Sequence, residues 1–225
     1  MRTRQRSLSL VHRIRQPLVG AQPGHVPPLL LLLHGVGSNE LSMASLASAF
    51  DPRFLVVSAR SPIALEPFAF AWFHVTFTPE GPVINGDEAE AAWTHVARFV
   101  DEAVETYQAD GTSVFIAGFS QGGIVALATM LTAPEKVAGV VCMSGRLAPE
   151  VLPHAVSHER LGGKPVLIVH GARDETLGVE YGRDAYAILR RFPLDVEYRE
   201  FDMAHTTTPE SLGAVSAWLT ARLAP

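Results

Sequence analysis

A serine set between glycines, in Gly118-Phe119-Ser120-Gln121-Gly122, is the first group in this sequence that could do covalent chemistry. A serine hydroxyl attacks an acyl carbon well only when a base takes its proton as the bond forms. A histidine is therefore required, and behind it a carboxylate to orient the ring. The apolar run from Ser113 to Ala117 enters this turn and a helical pattern leaves it. That is the strand, sharp turn and helix setting in which a serine hydroxyl stands exposed on a strained backbone. The flanking glycines then have a steric reason, because larger side chains would collide as the chain reverses.

Four histidines lie downstream, His154, His158, His170 and His205. His170 falls at the end of a predicted strand and reads as structural, and His154 and His158 fall in a predicted loop. Their four-residue spacing could suit two helical metal ligands, but Pro153 precedes them and no third ligand is apparent, so no metal is expected. His205 follows a strand in a short loop before the last helix and is the expected base. Asp174, on the loop after the preceding strand in His170-Gly171-Ala172-Arg173-Asp174, is the expected acid, with Glu175 and Asp202 as rivals. A tetrahedral intermediate also needs donors aimed at its oxyanion. His34-Gly35-Val36-Gly37 follows an apolar strand and can turn N–H groups toward the serine, so the backbone N–H groups of Val36 and Gln121 are the expected pair.

These residues need a scaffold that brings distant loops together. Strands are predicted at about Leu8–Arg15, Pro28–Leu33, Phe54–Val57, Ser113–Ala117, Gly139–Met143, Pro165–Val169 and Val196–Glu200. Several are continuous apolar runs, as buried parallel strands are. Helices are predicted over Glu88–Tyr107, Gln121–Thr132, Glu180–Arg191 and from Pro209 to about Leu223. In the first of these Ala92, Trp93, Val96, Phe99, Val100, Ala103, Val104 and Tyr107 share a face. The alternation implies an α/β protein whose mostly parallel central sheet of about seven strands carries helices on both faces. The stretch from Ser61 to Gly86, rich in Pro, Phe and Gly, fits neither period and reads as one long irregular excursion.

The 225 residues are expected to form one domain. Hydrophobic residues make up 48% and charged residues 18%, a composition that folds compactly. A net charge of −5 offers no basic excess for phosphate backbones, so no nucleic acid is expected. The single cysteine, Cys142, lies in an apolar run and reads as a core residue, which implies a reducing, cytoplasmic setting. The first fifteen residues hold five arginines and no acid. Leu8, Leu10, His12 and Ile14 alternate there with polar neighbours, which favours a half-buried edge strand over a targeting peptide. The longest aliphatic run, Leu29 to Leu33, is too short to span a bilayer, so no transmembrane segment is expected. No glycine-rich dinucleotide motif is present and no cofactor is implied.

Taken in order, Leu31-Leu32-Leu33-His34-Gly35-Val36-Gly37-Ser38-Asn39-Glu40, Ala71-Trp72-Phe73, Gly118-Phe119-Ser120-Gln121-Gly122-Gly123, Val169-His170-Gly171-Ala172-Arg173-Asp174 and Ala204-His205 resemble the phospholipase and carboxylesterase family of small α/β-hydrolases, the group that includes acyl-protein thioesterases. The resemblance covers nearly the whole chain. It implies an α/β-hydrolase fold and a carboxylesterase acting on small or medium ester substrates through an acyl-enzyme, with lysophospholipase or acyl thioesterase as alternatives. It also implies Trp72, Phe73 and Leu177 as substrate-contacting residues, a small-molecule ester or thioester as partner, and compatibility with a homodimer. Two departures stand out: Glu175-Thr176-Leu177-Gly178 after the acid, where hydrophobic or Pro-containing sequence is common, and Ala204 where a Gly often precedes the histidine. The non-enzyme alternative is an inactive binding module of the same fold. Such a copy should lack a nucleophile, base, acid or oxyanion turn, and all four are present. A base that must be unprotonated implies activity falling below about pH 6.5, the free histidine value.

Overall fold

Leu29 to Leu33 leave no polar face on their strand, so both faces must be covered by other elements. The computed structural model describes residues 8–19, 26–79 and 81–223. In chain order the elements are β1 (His12–Arg15), β2 (Pro28–Leu33), α1 (Glu40–Ala44), β3 (Leu55–Ala59), β4 (Ile63–Glu66), β5 (Ala69–Ala71), β6 (Val75–Thr78), β7 (Gly81–Ile84) and α2 (Gly86–Tyr107). They continue with β8 (Asp110–Phe119), α3 (Gln121–Thr132), β9 (Gly139–Met143), α4 (His158–Leu161), β10 (Pro165–Gly171), α5 (Val179–Leu189), β11 (Asp195–Phe201) and α6 (Pro209–Thr220). Seven strands form one sheet in the order β1-β3-β2-β8-β9-β10-β11. All neighbours are parallel except β1, which runs antiparallel to β3.

The period of a strand divides the core in two. Leu29, Leu31 and Leu33 pack with Trp93, Val96 and Phe99 of α2 and with Val125 and Leu127 of α3. Leu30 and Leu32 pack on the other face with Met43, Phe50, Trp218 and Leu219. Helix α3 is buried from Gln121 to Leu131, which explains a sequence apolar on every side. Helix α2 buries one stripe, with Val104 and Tyr107 only partly covered, and starts where Asn85 Oδ1 accepts the Glu88 N–H at 3.2 Å. Thr208 and Ser211 cap α6 reciprocally, so Pro209 falls in the first turn as expected.

Strand order also fixes where a site can form. From β2 the chain goes to β3 on one side, and β8 then returns to β2's other side. The loops after β2 and β8 diverge there, which leaves a crevice beyond their carboxyl ends. Val36 and Ser120 are on those two loops.

Two expectations need correction. The first strand is four residues long, not eight, and Ile14, expected on its covered face, is 43% exposed. An edge strand has one neighbour, and the aromatic rings at Phe99 and Tyr107 close over His12 instead, at 5.5 and 5.9 Å. Ser7 and the arginines at 2, 4 and 6 lie outside the described residues. The stretch from Ser61 to Gly86 is not irregular: it holds two hairpins, β4–β5 and β6–β7. Strands of three or four residues are too short for alternation to register, and the first hairpin turns through Phe68 at φ 66°.

Candidate active site

Ser120 is the single residue between β8 and α3, at φ 52° and ψ −117°. For a residue with a Cβ this backbone costs about 1–3 kcal/mol and persists only where surroundings impose it. Here the Ser120 N–H donates to the Met143 carbonyl at 2.8 Å, and the Ser120 carbonyl accepts from Gly123 and Ile124 at 2.9 and 3.1 Å. The glycines allow the crossing. A Cβ on Gly118 would stand 2.1 Å from the Gly122 oxygen, and one on Gly122 would stand 2.2 Å from the Leu33 oxygen.

Three of the expected residues meet. His205 Nε2 is 3.0 Å from Ser120 Oγ, and His205 Nδ1 is 2.6 Å from Asp174 Oδ2. The Asp174 side chain is fully buried, and its second oxygen accepts the N–H groups of Thr176 and Leu177 at 3.0 and 2.8 Å. Those bonds fix the carboxylate plane, and the carboxylate in turn fixes the ring. Below it, His170 Nε2 donates to the Leu177 carbonyl at 2.8 Å and lies 3.5 Å from Asp174 Oδ2, so this histidine supports the acid loop. Gly171 lets β10 pass close to the loop before His205, since a Cβ there would stand 2.3 Å from the Met203 oxygen. The rivals are elsewhere: Glu175 is exposed, Asp202 pairs with Arg173 at 2.6 Å, and His154 and His158 pack against Trp93 and Phe192.

The turn after β2 is equally constrained. Burial pushes the pKa of His34 down, and its bonds match a neutral ring: Nδ1 donates to the Gly35 carbonyl at 2.7 Å while Nε2 accepts the Ser61 N–H at 3.0 Å. Gly37 has φ 76°, a left-handed conformation that glycine adopts without penalty. Its N–H donates to Phe70, and the Phe70 N–H returns a bond to Ser38, both at 2.9 Å, which ties the turn to the first hairpin. Arg60 grips Glu40 through two bonds of 2.6 Å and holds that carboxyl below its ordinary range. Among the described residues the Val36 N–H has no backbone acceptor. Gln121, first in α3, likewise has an N–H beyond the reach of intrahelical bonding.

The Gln121 side chain does something the sequence did not announce. Its Oε1 accepts the Trp72 N–H and its Nε2 donates to the Phe73 carbonyl, each at 2.7 Å. The Trp72 ring N–H meanwhile donates to the His34 carbonyl at 2.9 Å. The serine turn, the β2 turn and the Trp72-Phe73 segment are thereby one bonded unit. Gln121→Leu keeps the backbone donor but orphans two buried groups, at about 1–3 kcal/mol each. Denaturant unfolding is expected to show a combined loss of about 2–6 kcal/mol.

Two hollows meet at Ser120. One is a slot of about 30 Å³ walled by Phe73, Val75, Pro82, Ile84, Ile124 and Leu177, with Arg146 also facing it. The other is an open cleft of about 410 Å³ bordered by Met43, Leu46, Phe119, His205, Thr206 and Thr207. Val36, Ser120 and Thr176 border both. Phe73 and Leu177 thus reach the slot, whereas Trp72, 1% exposed, stands behind the wall and lines neither hollow. Cys142 lies beneath the start of α3, where burial pushes its thiol up to about 12 and leaves it a core residue. Val75, Ile84, Thr176 and Arg146 were not singled out from sequence. Arg146 had a signal: a lone cation in the apolar stretch just after β9, at the carboxyl edge of the sheet.

A family model described as phospholipase/carboxylesterase matches residues 16–223. A probable carboxylesterase of Oryza sativa subsp. japonica is 30% identical over 86% of this chain and 88% of its own length. Acyl-protein thioesterase 1 of Mycosarcoma maydis is 26% identical over 84% of this chain and 89% of its own. The crystal structure of a carboxylesterase from Mesorhizobium loti superposes with a TM-score of 0.80 at 26% identity, covering 95% of each chain. The expected fold, a mostly parallel seven-stranded sheet with helices on both faces, is that of these α/β-hydrolases. Among the described residues no helix is long and apolar enough to cross a membrane.

Proposed function

Because the chain belongs to the phospholipase/carboxylesterase family of hydrolases, we propose that it is a serine carboxylesterase that works through an acyl-enzyme. Ser120 is the nucleophile, His205 the base and then the acid, and Asp174 the group that orients His205. The observation that carries this reading is the continuous line from Ser120 Oγ through both ring nitrogens of His205 to a buried Asp174, at 3.0 and 2.6 Å.

In this mechanism His205 Nε2 takes the Ser120 proton as Oγ bonds to the ester carbonyl carbon. The Val36 and Gln121 N–H groups hold the oxyanion, a contribution worth about 3–4 kcal/mol per donor where one has been removed. The bond to the leaving oxygen breaks, and His205 hands it the proton. Water then attacks the acyl-enzyme with His205 again as base, and Ser120 is regenerated. The narrow slot takes the acyl chain and the open cleft takes the leaving group.

The small apolar slot, about 30 Å³, favours short acyl groups over long ones and so supports a carboxylesterase over a lysophospholipase or a long-chain thioesterase. A reducing, cytoplasmic setting belongs to the same proposal and rests on the single buried cysteine. The test is a series of p-nitrophenyl esters from acetate to palmitate, with kcat/KM read at each length. The expected optimum is at two to four carbons. A maximum at twelve or more would overturn the slot assignment and favour the alternatives.

A further inference from the structure

Arg146 is the charged side chain near Ser120 that the mechanism leaves unused. It lies two residues beyond Ser144, between Gly145 and the buried pair Leu147 and Ala148, and is itself 7% exposed. It faces the same slot as Phe73, Ile84 and Leu177. A guanidinium presents five N–H donors, and a buried one is stable only when they are paired. Here Nη2 reaches the Pro82 carbonyl at a long 3.3 Å, and Nε is buried with no hydrogen-bond partner. Among the described residues no carboxylate makes an ion pair with it, and no further partner exists beyond these contacts. Burial lowers its pKa, with Glu150 and Tyr181 opposing that at longer range. One Glu150 oxygen is also buried without a partner, so Glu150 is the rival counter-ion.

An apolar slot with an unsatisfied cation on its wall is matched by a ligand that is apolar where it leaves the serine and anionic at its far end. A carboxylate fits best, since it accepts two parallel bonds from the guanidinium fork. We propose that Arg146 makes the slot a receptor for acyl groups ending in a carboxylate, so that the preferred substrate is a monoester of a short dicarboxylic acid. This rests on the reading of Ser120 as nucleophile and of the slot as the acyl side. The chemistry is unchanged: the bond from Ser120 Oγ to the acyl carbon forms, the ester oxygen leaves with the His205 proton, and water releases the dicarboxylic acid.

The test compares monoethyl succinate and monoethyl glutarate with ethyl butyrate and ethyl pentanoate, following acid release by the wild-type protein, Arg146→Lys, Arg146→Met and Glu150→Gln. Wild type is expected to favour the anionic esters in kcat/KM by about tenfold or more, and Arg146→Met to lower that ratio by roughly 100-fold, with Arg146→Lys between them. Glu150→Gln is expected to keep or raise the ratio. A wild-type preference for the neutral esters, or an equal loss on both in Arg146→Met, overturns the proposal. So does loss of the preference in Glu150→Gln, which would assign Arg146 to Glu150. Should Arg146→Met fail to fold, inhibition of wild type decides: succinate and glutarate must compete with ethyl butyrate better than butyrate and pentanoate do, and equal inhibition counts against the site. Failure to hydrolyse any of the four esters would sink the esterase reading itself, whereas hydrolysis of the neutral pair without anionic preference sinks only this inference.

Discussion

Ser120→Ala is expected to lower kcat/KM on short-chain esters by about 10⁴-fold or more while the protein stays folded. The size of the loss follows from the role: without Oγ there is no covalent intermediate, and what remains is water attack assisted by whatever oxyanion donors persist. Retention of the fold follows from the geometry. Oγ bonds His205 and nothing that holds the turn, whereas the turn is fixed by the backbone bonds to Met143, Gly123 and Ile124. Alanine also tolerates φ 52° no worse than serine does. Unchanged thermal unfolding beside lost turnover is therefore the expected pair of results. Substantial residual turnover would remove Ser120 from the mechanism.

Gly122→Ala is the second large effect, and it reaches activity through packing. The added methyl would sit 2.2 Å from the Leu33 oxygen and 2.8 Å from the His34 oxygen. Both obstacles are backbone, so no side chain can rotate away. Either α3 or the end of β2 must move, at about 1–3 kcal/mol for an overpacked site and more when a strand shifts. For a chain of this size that corresponds to roughly 2–12 °C in Tm. The same shift is expected to separate Gln121 from Val36, whose N–H groups are the proposed oxyanion donors. Loss of activity at temperatures where the variant remains folded is expected, and a variant with wild-type Tm and kcat would contradict the crossing described above.

Sequence legibility followed element length and burial. Strands β2 and β9 and helix α3 were readable to the residue, because each is a largely apolar run with a glycine or proline at or next to one of its ends. The three residues from Ser120 to His205 were readable because each follows a strand, so chain order alone implied that they converge. The hairpins between Ser61 and Gly86 were not readable, since a strand of three or four residues shows too few alternations to separate it from a loop. Trp72 illustrates a different limit. Its proximity to the serine was legible, but whether an aromatic ring faces a cavity or stands behind its wall depends on one rotation that no sequence pattern encodes. Arg146 was missed in the sequence, and only its burial beside the slot gives a lone cation after an apolar strand a direction.

The roof of the slot has a consequence for how such a protein can change. Hairpins β4–β5 and β6–β7 each pair neighbouring segments of chain and contribute no strand to the seven-stranded sheet. They are tied to the loops after β2 and β8 by backbone bonds from Phe70 to Gly37 and Ser38, by the Gln121 side chain to the main chain of Trp72 and Phe73, and by the Trp72 ring N–H to the His34 carbonyl. Part of the slot wall, Phe73, Val75, Pro82 and Ile84, thus sits in a cassette running from Ser61 to Gly86, and on the proposed reading acyl preference is shared between it and Ile124, Arg146 and Leu177 on the sheet side. Sequence drift or laboratory exchange within that cassette is expected to alter selectivity while Ser120, Asp174 and His205, on loops beyond the carboxyl ends of β8, β10 and β11, keep their geometry.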